Sequence, residues 1–556
     1  MAFLAKQKKA DNFLSILIGA VFCVCAIVYG FTLNHELGGF GGDNAQYIFL
    51  AQSISEGKGY RSINMPGEPV NGQYPPVYPL LLAPIIYLFG KTFFLMHLEI
   101  IVFSLLSLFI LKLILDNIFQ TCRILIILIL FFWGTSSYFI LFQLRILSEI
   151  PYLFFSLCAI YYSARYFSYH SIWNRYLYFG SLFIAIASLT RTVGAAFFGG
   201  IILLFFQTKP KFFQNIKKTS IFLLFSMTPF ILWKLWLSLF VKGKGNYLNT
   251  FFLKDPYTPD LGGATISDLF LRFLNNLSYH FSNLKDFFIN HDLWQKSVAT
   301  ILFYCFLILI IYGFIIIFLK FKNYRILCTY FICYLLIILL WPFKEGERFL
   351  LPVLPLVFTF LFIGVYQINI WIAQKTDQKI LQAAPFLILL IVLGANISSS
   401  LSTIKTVHTD YYYPNKKLVS PSTYTIRPPL NLTKYFGFVH LIKEKKNPDP
   451  GATVFYKYLV ALEILKRTTS KEVIISARKP RIASLFSERK AVGYTYTRDT
   501  EKLLENLKKN RVDYVILDQF SRETFFYLLP AIQKHKEKFR VIANINGTYL
   551  LKFTGI

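Results

Sequence analysis

Residues 38–60 read GGFGGDNAQYIFLAQSISEGKGY, and residues 71–79 close the same stretch with NGQYPPVYP. This polar, glycine-rich segment carries Asp43 at its head and follows directly on an apolar run at 13–33. A spanning helix needs roughly 20 mostly apolar residues, because backbone polar groups in lipid must be paired within the segment. The run at 13–33 has that length. It exceeds the apolar core of a cleaved signal, about 7–15 residues, and lacks a small-x-small cleavage site, so it reads as a retained anchor. Lys6, Lys8 and Lys9 precede it, which puts the N-terminus in the cytoplasm and Asp43 on the opposite side.

Outward from that loop the chain stays apolar. With 55% hydrophobic residues, 18% aromatics and a mean hydropathy of +0.50, its 556 residues hold more apolar surface than a soluble core needs. It reads as a polytopic membrane protein. Further apolar runs lie at 77–89, 94–115, 124–141, 147–164, 177–207, 219–241, 298–319, 325–341, 349–373 and 380–397. The run at 177–207 is too long for one span and has Arg191 and Gly194 near its middle. An arginine at the bilayer centre costs about 2.5–3.5 kcal/mol even on insertion scales, so two short helices with Arg191 at the turn are expected. The basic segments 165–175, 209–218, 320–325 and 375–379 read as cytoplasmic. Glu149, Arg191, the loop 242–297, the short loop 344–348 and everything past 400 then share the side of Asp43. Counting forward from the first helix gives Glu149 the wrong parity: either 77–89 is re-entrant or one run hides an extra crossing. Roughly 11 to 13 spans are expected.

The tail from 401 changes character, with 28 Lys and Arg against 13 Asp and Glu, a surplus of 15 out of the formal +29. Strands are expected at 472–476, 513–518, 539–544 and 548–553, and helices at 455–467, 480–487, 499–509 and 522–537. The sequence therefore divides into a transmembrane domain at 1–400, with its first extracytoplasmic loop at 34–76, and a small soluble α/β domain at 401–556. No phosphate-binding glycine loop marks the tail as a nucleotide site, and it reads as an accessory or docking module.

All seven cysteines, at 23, 25, 122, 158, 305, 328 and 333, fall in or beside apolar runs, which argues against a disulfide framework or a thiolate zinc site. The acids and histidines of 242–297 show no tight ligand spacing. No cofactor is called for; a divalent ion at Asp43 and Glu149 is compatible with the sequence but not required by it. The surplus of Lys and Arg suits anionic lipid headgroups or phosphates better than nucleic acid. Asn-x-Ser/Thr triplets begin at Asn276, Asn396, Asn431 and Asn546. Of the 35 Tyr and 59 Phe, most suit lipid-facing bulk and interfacial belts, while a run such as Tyr411–Tyr413 could stack on sugars.

Four charged residues stand out. Asp43 is either an N-cap for a helix at 45–56 or a reactive carboxylate in a permissive backbone. Glu149, in RILSEIPYLF, lies at the mouth of a span, where an acid is a functional candidate or a complement to a helix dipole. Arg191 in SLTRTVGA and Arg348 in FKEGERFLLPVLP suit phosphate through their planar bidentate forks; each alone also fits snorkelling at the interface.

Taken in order, Asp43-Asn44-Ala45-Gln46-Tyr47, Tyr74-Pro75-Pro76-Val77-Tyr78-Pro79, Leu147-Ser148-Glu149-Ile150-Pro151, Leu189-Thr190-Arg191 and Arg348-Phe349-Leu350-Leu351-Pro352 resemble the GT-C membrane glycosyltransferases. The branch is that of the bacterial protein-mannosyltransferase-like and lipid A aminoarabinose transferases, and the likeness runs across about residues 10–400. It implies a GT-C-like, mainly α membrane fold and an inverting transferase that moves a hexose or pentose from a polyprenyl-phosphate donor to a lipid, polysaccharide or protein acceptor. The active site would lie on the extracytoplasmic face of a bacterial cytoplasmic (inner) membrane. Asp43 matches the family's loop acid, and Glu149 its second acid. Two departures are Asn44, where relatives often have a second acid, and Tyr74, where they often have a base; Lys58 or Arg61 would then serve the phosphate. In the mechanism this implies, Asp43, its pKa raised by desolvation, takes the acceptor's proton, Arg191 and Arg348 stabilise the leaving phosphate, and Glu149 orients hydroxyls. A transporter or flippase of lipid-linked saccharides is the main alternative and predicts paired repeats with charges near the midplane. A scaffold leaves the loop acids unexplained, and an oligosaccharide polymerase differs only in its product.

Overall fold

The computed structural model describes residues 2–35, 37–38, 41–119, 122–205, 212–241, 247–289, 295–378, 383–391, 393–394, 397 and 450–555. The fold is mainly helical with one small sheet near the C-terminus. Among the described residues six helices are long and apolar enough to cross a membrane, at Asn12–Gly30, Phe93–Ile118, Ile216–Phe240, Lys296–Lys320, Lys322–Leu340 and Leu354–Ala373. The pair Arg123–Gly134 and Ser137–Gln143, bent by 52°, has the make-up of a broken span or a re-entrant loop. The expected 11 to 13 spans are not reached on this measure, because several apolar runs fold into shorter helices. The run expected at 380–397 lies partly outside the described residues.

The bundle has no hydrophobic drive toward itself in lipid, so close packing must hold it. Gly313 and Gly364 show how: a Cβ on Gly313 would lie 1.8 Å from the carbonyl oxygen of Phe360, and one on Gly364 2.2 Å from that of Leu309. Only glycine lets helices Lys296–Lys320 and Leu354–Ala373 meet backbone to backbone.

The run at 177–207 breaks where the arginine demands it. Helix Arg175–Thr190 ends, Arg191 is extended (φ −144°, ψ 136°), and a 3-10 turn at Thr192–Ala195 leads into helix Ala196–Phe205. Asp43 and Glu149 share one arginine, as described below, so the chain between them crosses an even number of times. Between them, helix Phe93–Ile118 is long and apolar enough to cross, and the bent pair has the make-up of a broken span or a re-entrant loop. Helix Val77–Phe89, with 13 residues and a length of about 20 Å, falls short of the roughly 30 Å hydrocarbon core.

Near the C-terminus, strands β1 (Ile474–Ser476), β2 (Lys490–Val492), β3 (Tyr514–Leu517), β4 (Phe539–Ile545) and β5 (Thr548–Phe553) form one sheet in the order β2-β1-β3-β5-β4. The first three are parallel, and β5 pairs antiparallel with β3 and β4. Asn546 and Gly547, at φ 47° and 94°, make the two-residue turn between β4 and β5 that an Asn-Gly pair favours. Helix Pro450–Thr468 buries Phe455, Tyr458, Leu459, Leu462 and Leu465, a helical stripe, in the core. The expected start of the soluble domain at 401, Tyr411–Tyr413 and the triplets at Asn396 and Asn431 lie outside the described residues. Asn276 is buried, its amide donating to the carbonyls of Leu339 (2.9 Å) and Trp341 (2.8 Å) at the end of helix Arg325–Leu340.

This domain is docked on the membrane part. The Ala491 N–H of β2 donates to the Asn64 carbonyl (2.9 Å), Lys490 pairs with Glu68 (3.2 Å), and the Tyr527 hydroxyl donates to the Tyr257 carbonyl (3.2 Å).

Candidate active site

Helix Asp43–Ser55 begins at Asp43, but Gly42, in the left-handed region (φ 91°), is its cap residue. The carboxylate is thus not spent on capping amides. The loop before it is pinned by Asn44, whose amide donates to the Gly38 carbonyl (2.9 Å) and whose Oδ1 accepts from the Ala45 N–H (2.9 Å). Gly38 passes so close to Leu144 that a Cβ would lie 1.7 Å from its carbonyl oxygen. Asn44 therefore works on the loop, where a carboxylate would lack the donor that Gly38 needs.

From Asp43 runs a row of alternating charges. Asp43 Oδ2 accepts from Arg348 Nη2 (2.7 Å), and Arg348 Nε donates to Glu149 Oε1. Glu149 Oε1 also accepts from Arg191 Nη1 (2.5 Å), and Arg191 Nη1 reaches Ser148 Oγ (3.2 Å), which is bonded to the Tyr47 hydroxyl (2.9 Å). On the other flank, Asp43 Oδ1 accepts from the Tyr74 hydroxyl (2.5 Å) and from Arg481 Nη1 (3.2 Å), and Arg481 Nη2 donates to Gln73 Oε1 (2.8 Å). Glu345 joins Arg348 at 3.2 Å from the open side. The row reads Arg191, Glu149, Arg348, Asp43, Arg481.

Each member sits where the backbone leaves regular structure or a helix begins. Glu149 opens helix Glu149–Ser168, Arg191 occupies the extended break, and Arg348 lies in the short turn Glu347–Leu350. Arg481 is the second residue of helix Pro480–Ser487 in the C-terminal domain. They border a cavity of about 380 Å³ lined by Asp43, Tyr47, Tyr74, Arg191, Tyr257, Tyr334, Trp341, Phe343, Glu345, Arg348 and Arg481.

Burial would push the Asp43 carboxyl above its ordinary range, but the charges of Arg348 and Arg481 and the hydrogen bond from Tyr74 outweigh it and hold the pKa at about 2. The raised pKa expected from the sequence is thus reversed: desolvation is present, but two guanidinium groups overcome it. Glu149, with 1% of its side chain exposed, does not line the cavity. It stands behind Arg191 and Arg348 and holds both. Glu149 Oε2 and Arg191 Nε have no hydrogen-bond partner among the described residues.

Lys58 and Arg61 are not brought to the cavity. Lys58 pairs with Glu56 (2.8 Å) at the exposed end of helix Asp43–Ser55, and Arg61 donates to the Glu68 carbonyl (3.1 Å) in an outward hairpin bridged to Val70. Tyr74 does face it, with the Arg481 guanidinium 4.9 Å from its ring centre. The C-terminal domain, read from sequence as accessory, contributes Arg481 directly. Arg481, Gln73, Tyr257 and Glu345 carried no signal in the sequence; among the described residues no cluster of three or more His, Cys, Asp or Glu side chains is placed to hold a metal ion.

No family model matches the sequence, and no curated protein does. Solved structures match across most of the chain. The archaeal oligosaccharyltransferase AglB from Archaeoglobus fulgidus, in complex with an inhibitory peptide and a dolichol-phosphate, is 11% identical with a TM-score of 0.54, covering 90% of this chain and 69% of that one. ArnT from Cupriavidus metallidurans, bound to undecaprenyl phosphate, is 12% identical with a TM-score of 0.51, covering 98% of both chains. The chain thus shares the fold of AglB and ArnT.

Proposed function

We propose that this protein transfers a sugar, with inversion, from a polyprenyl-phosphate donor to a hydroxyl of a lipid, polysaccharide or protein acceptor on the extracytoplasmic face of a bacterial cytoplasmic membrane. The observation that carries this reading is the charge row. Two of its arginines, Arg191 and Arg348, present their planar forks to a cavity with aromatic walls. Planar guanidinium forks suit a phosphate through bidentate hydrogen bonds, and a sugar phosphodiester presents one. The solved neighbours with dolichol-phosphate and undecaprenyl phosphate support the lipid carrier.

In the step proposed, Arg191 and Arg348 turn to the donor phosphate, held in place by Glu149 from behind. As Arg348 shifts to the phosphate, Asp43 loses one of the two charges that depress its basicity and accepts the proton of the acceptor hydroxyl. The acceptor oxygen bonds to the anomeric carbon, the bond from that carbon to the phosphate oxygen breaks on the opposite face, and polyprenyl phosphate leaves.

Undecaprenyl phosphate binding to the purified protein in detergent micelles tests the anion site. Arg191→Gln and Arg348→Gln should each weaken it by about tenfold or more, the worth of one charge-assisted pair. Equal binding by both variants and wild type would remove the phosphate from this site.

A further inference from the structure

We propose that Arg481 is a positioning residue for Asp43, so that the C-terminal domain completes the transfer site rather than accompanying it. The inference rests on the proposed sugar transfer. The two carboxylate oxygens have different partners: Oδ2 meets Arg348, while Oδ1 takes Tyr74 and Arg481. Arg348 divides itself among Asp43, Glu149 and Glu345 and is the arginine that turns to the donor. When it does, Oδ2 is freed to receive the proton, and Oδ1 stays clamped, fixing the plane of the carboxylate.

Arg481 is built for that task. Its second nitrogen is anchored on Gln73, its guanidinium lies against the Tyr74 ring, and its stem passes the bare backbone of Gly42, where an added Cβ would sit 3.9 Å from it. Helix Pro480–Ser487 packs on helix Asp43–Ser55, and the Ala491–Asn64 and Lys490–Glu68 contacts hold the domain in register. The groups acting on Asp43 are Arg348, Arg481, Tyr74, Tyr47, Glu149 and Lys479. Losing Arg481 removes an opposite charge next to the carboxylate, which raises its pKa by about 1–3 units. A base works ionised, so its activity falls as pH drops through its pKa; a higher pKa moves that acid limb to higher pH.

The test compares wild type, Arg481→Gln, Arg478→Gln and Asp43→Asn. Arg478 lies in the same domain on Glu523 (3.0 Å) outside the cavity lining and controls for domain folding. Sugar transfer from a polyprenyl-phosphate donor is followed against pH, with undecaprenyl phosphate binding measured in parallel. Arg481→Gln should lower kcat by about 100-fold, the scale of a misplaced reacting group, shift the acid limb up by about one pH unit or more, and bind undecaprenyl phosphate as wild type does. Arg478→Gln should behave as wild type. Wild-type kcat and an unmoved acid limb in Arg481→Gln, with Asp43→Asn inactive, overturn this inference and leave the transfer reading standing. Loss of undecaprenyl phosphate binding in step with rate also overturns it, since Arg481 would then hold the phosphate or the fold. Asp43→Asn active at the wild-type rate overturns both.

Discussion

Removing Glu149 exposes how the charge row is held together. Its carboxylate is 1% exposed and joins Arg191 and Arg348, which are 13% and 15% exposed. Glu149→Gln keeps the shape and deletes the charge, leaving three arginines against Asp43 in the row. At an effective dielectric near 20, each opposed pair with charge centres about 4 Å apart is worth roughly 4 kcal/mol of attraction, most of it offset by the cost of drying the groups. Breaking such a pair from one side leaves that cost uncompensated, so about 3–5 kcal/mol of stability should be lost. Glu149→Gln combined with Arg191→Met restores the charge balance and should recover at least half of the loss, because apolar replacement of a whole buried pair is often neutral. Thermal unfolding of the purified variants in one detergent, followed by loss of the monodisperse elution peak, measures the order. Glu149→Gln as stable as wild type, or a double variant no better than the single one, would refute the account of Glu149 as the brace behind two arginines.

Lys58→Ala and Arg61→Ala should each leave sugar transfer within about twofold of wild type, since exposed pairs of this kind are worth about 0–1 kcal/mol; a tenfold loss in kinetic assays would bring that hairpin into the site. The folded pKa of Asp43, about 2, lies below its ordinary 3.8, so its contribution to stability is present above pH 4 and lost as pH falls from about 4 to 2. That contribution is about 2 kcal/mol, and acid unfolding curves should show it in wild type and not in Asp43→Asn; equal acid sensitivity of the two would contradict the paired carboxylate.

What the sequence reveals follows the range of the forces involved. The break at Arg191 is legible because a single arginine cannot sit inside an apolar run without a change of backbone. The strands β1, β3, β4 and β5 announce themselves through short β-branched runs, whereas β2, three residues reading Lys-Ala-Val, carries no pattern of its own and exists through β1. Asp43, Glu149, Arg191 and Arg348 each stand out as a charge at the edge of an apolar segment. Arg481 does not, because it lies in a basic polar stretch and gains meaning only through a partner 438 residues away. The depressed pKa of Asp43 is hidden for the same reason: burial is readable locally, but the opposing charges come from Arg348 and Arg481, both remote in sequence. Lys58 and Arg61 show the converse, nearness in sequence without nearness in space.

Glycan and lipid mass spectrometry on membranes from cells carrying wild type, Asp43→Asn or no copy of the gene tests the central claim most directly. Sugar transfer with Asp43 as base predicts a defined hexose, pentose or amino-sugar increment on one acceptor class with wild type only. The same increment in cells carrying Asp43→Asn, or none with wild type, would contradict it; in the second case transport of lipid-linked saccharides takes its place.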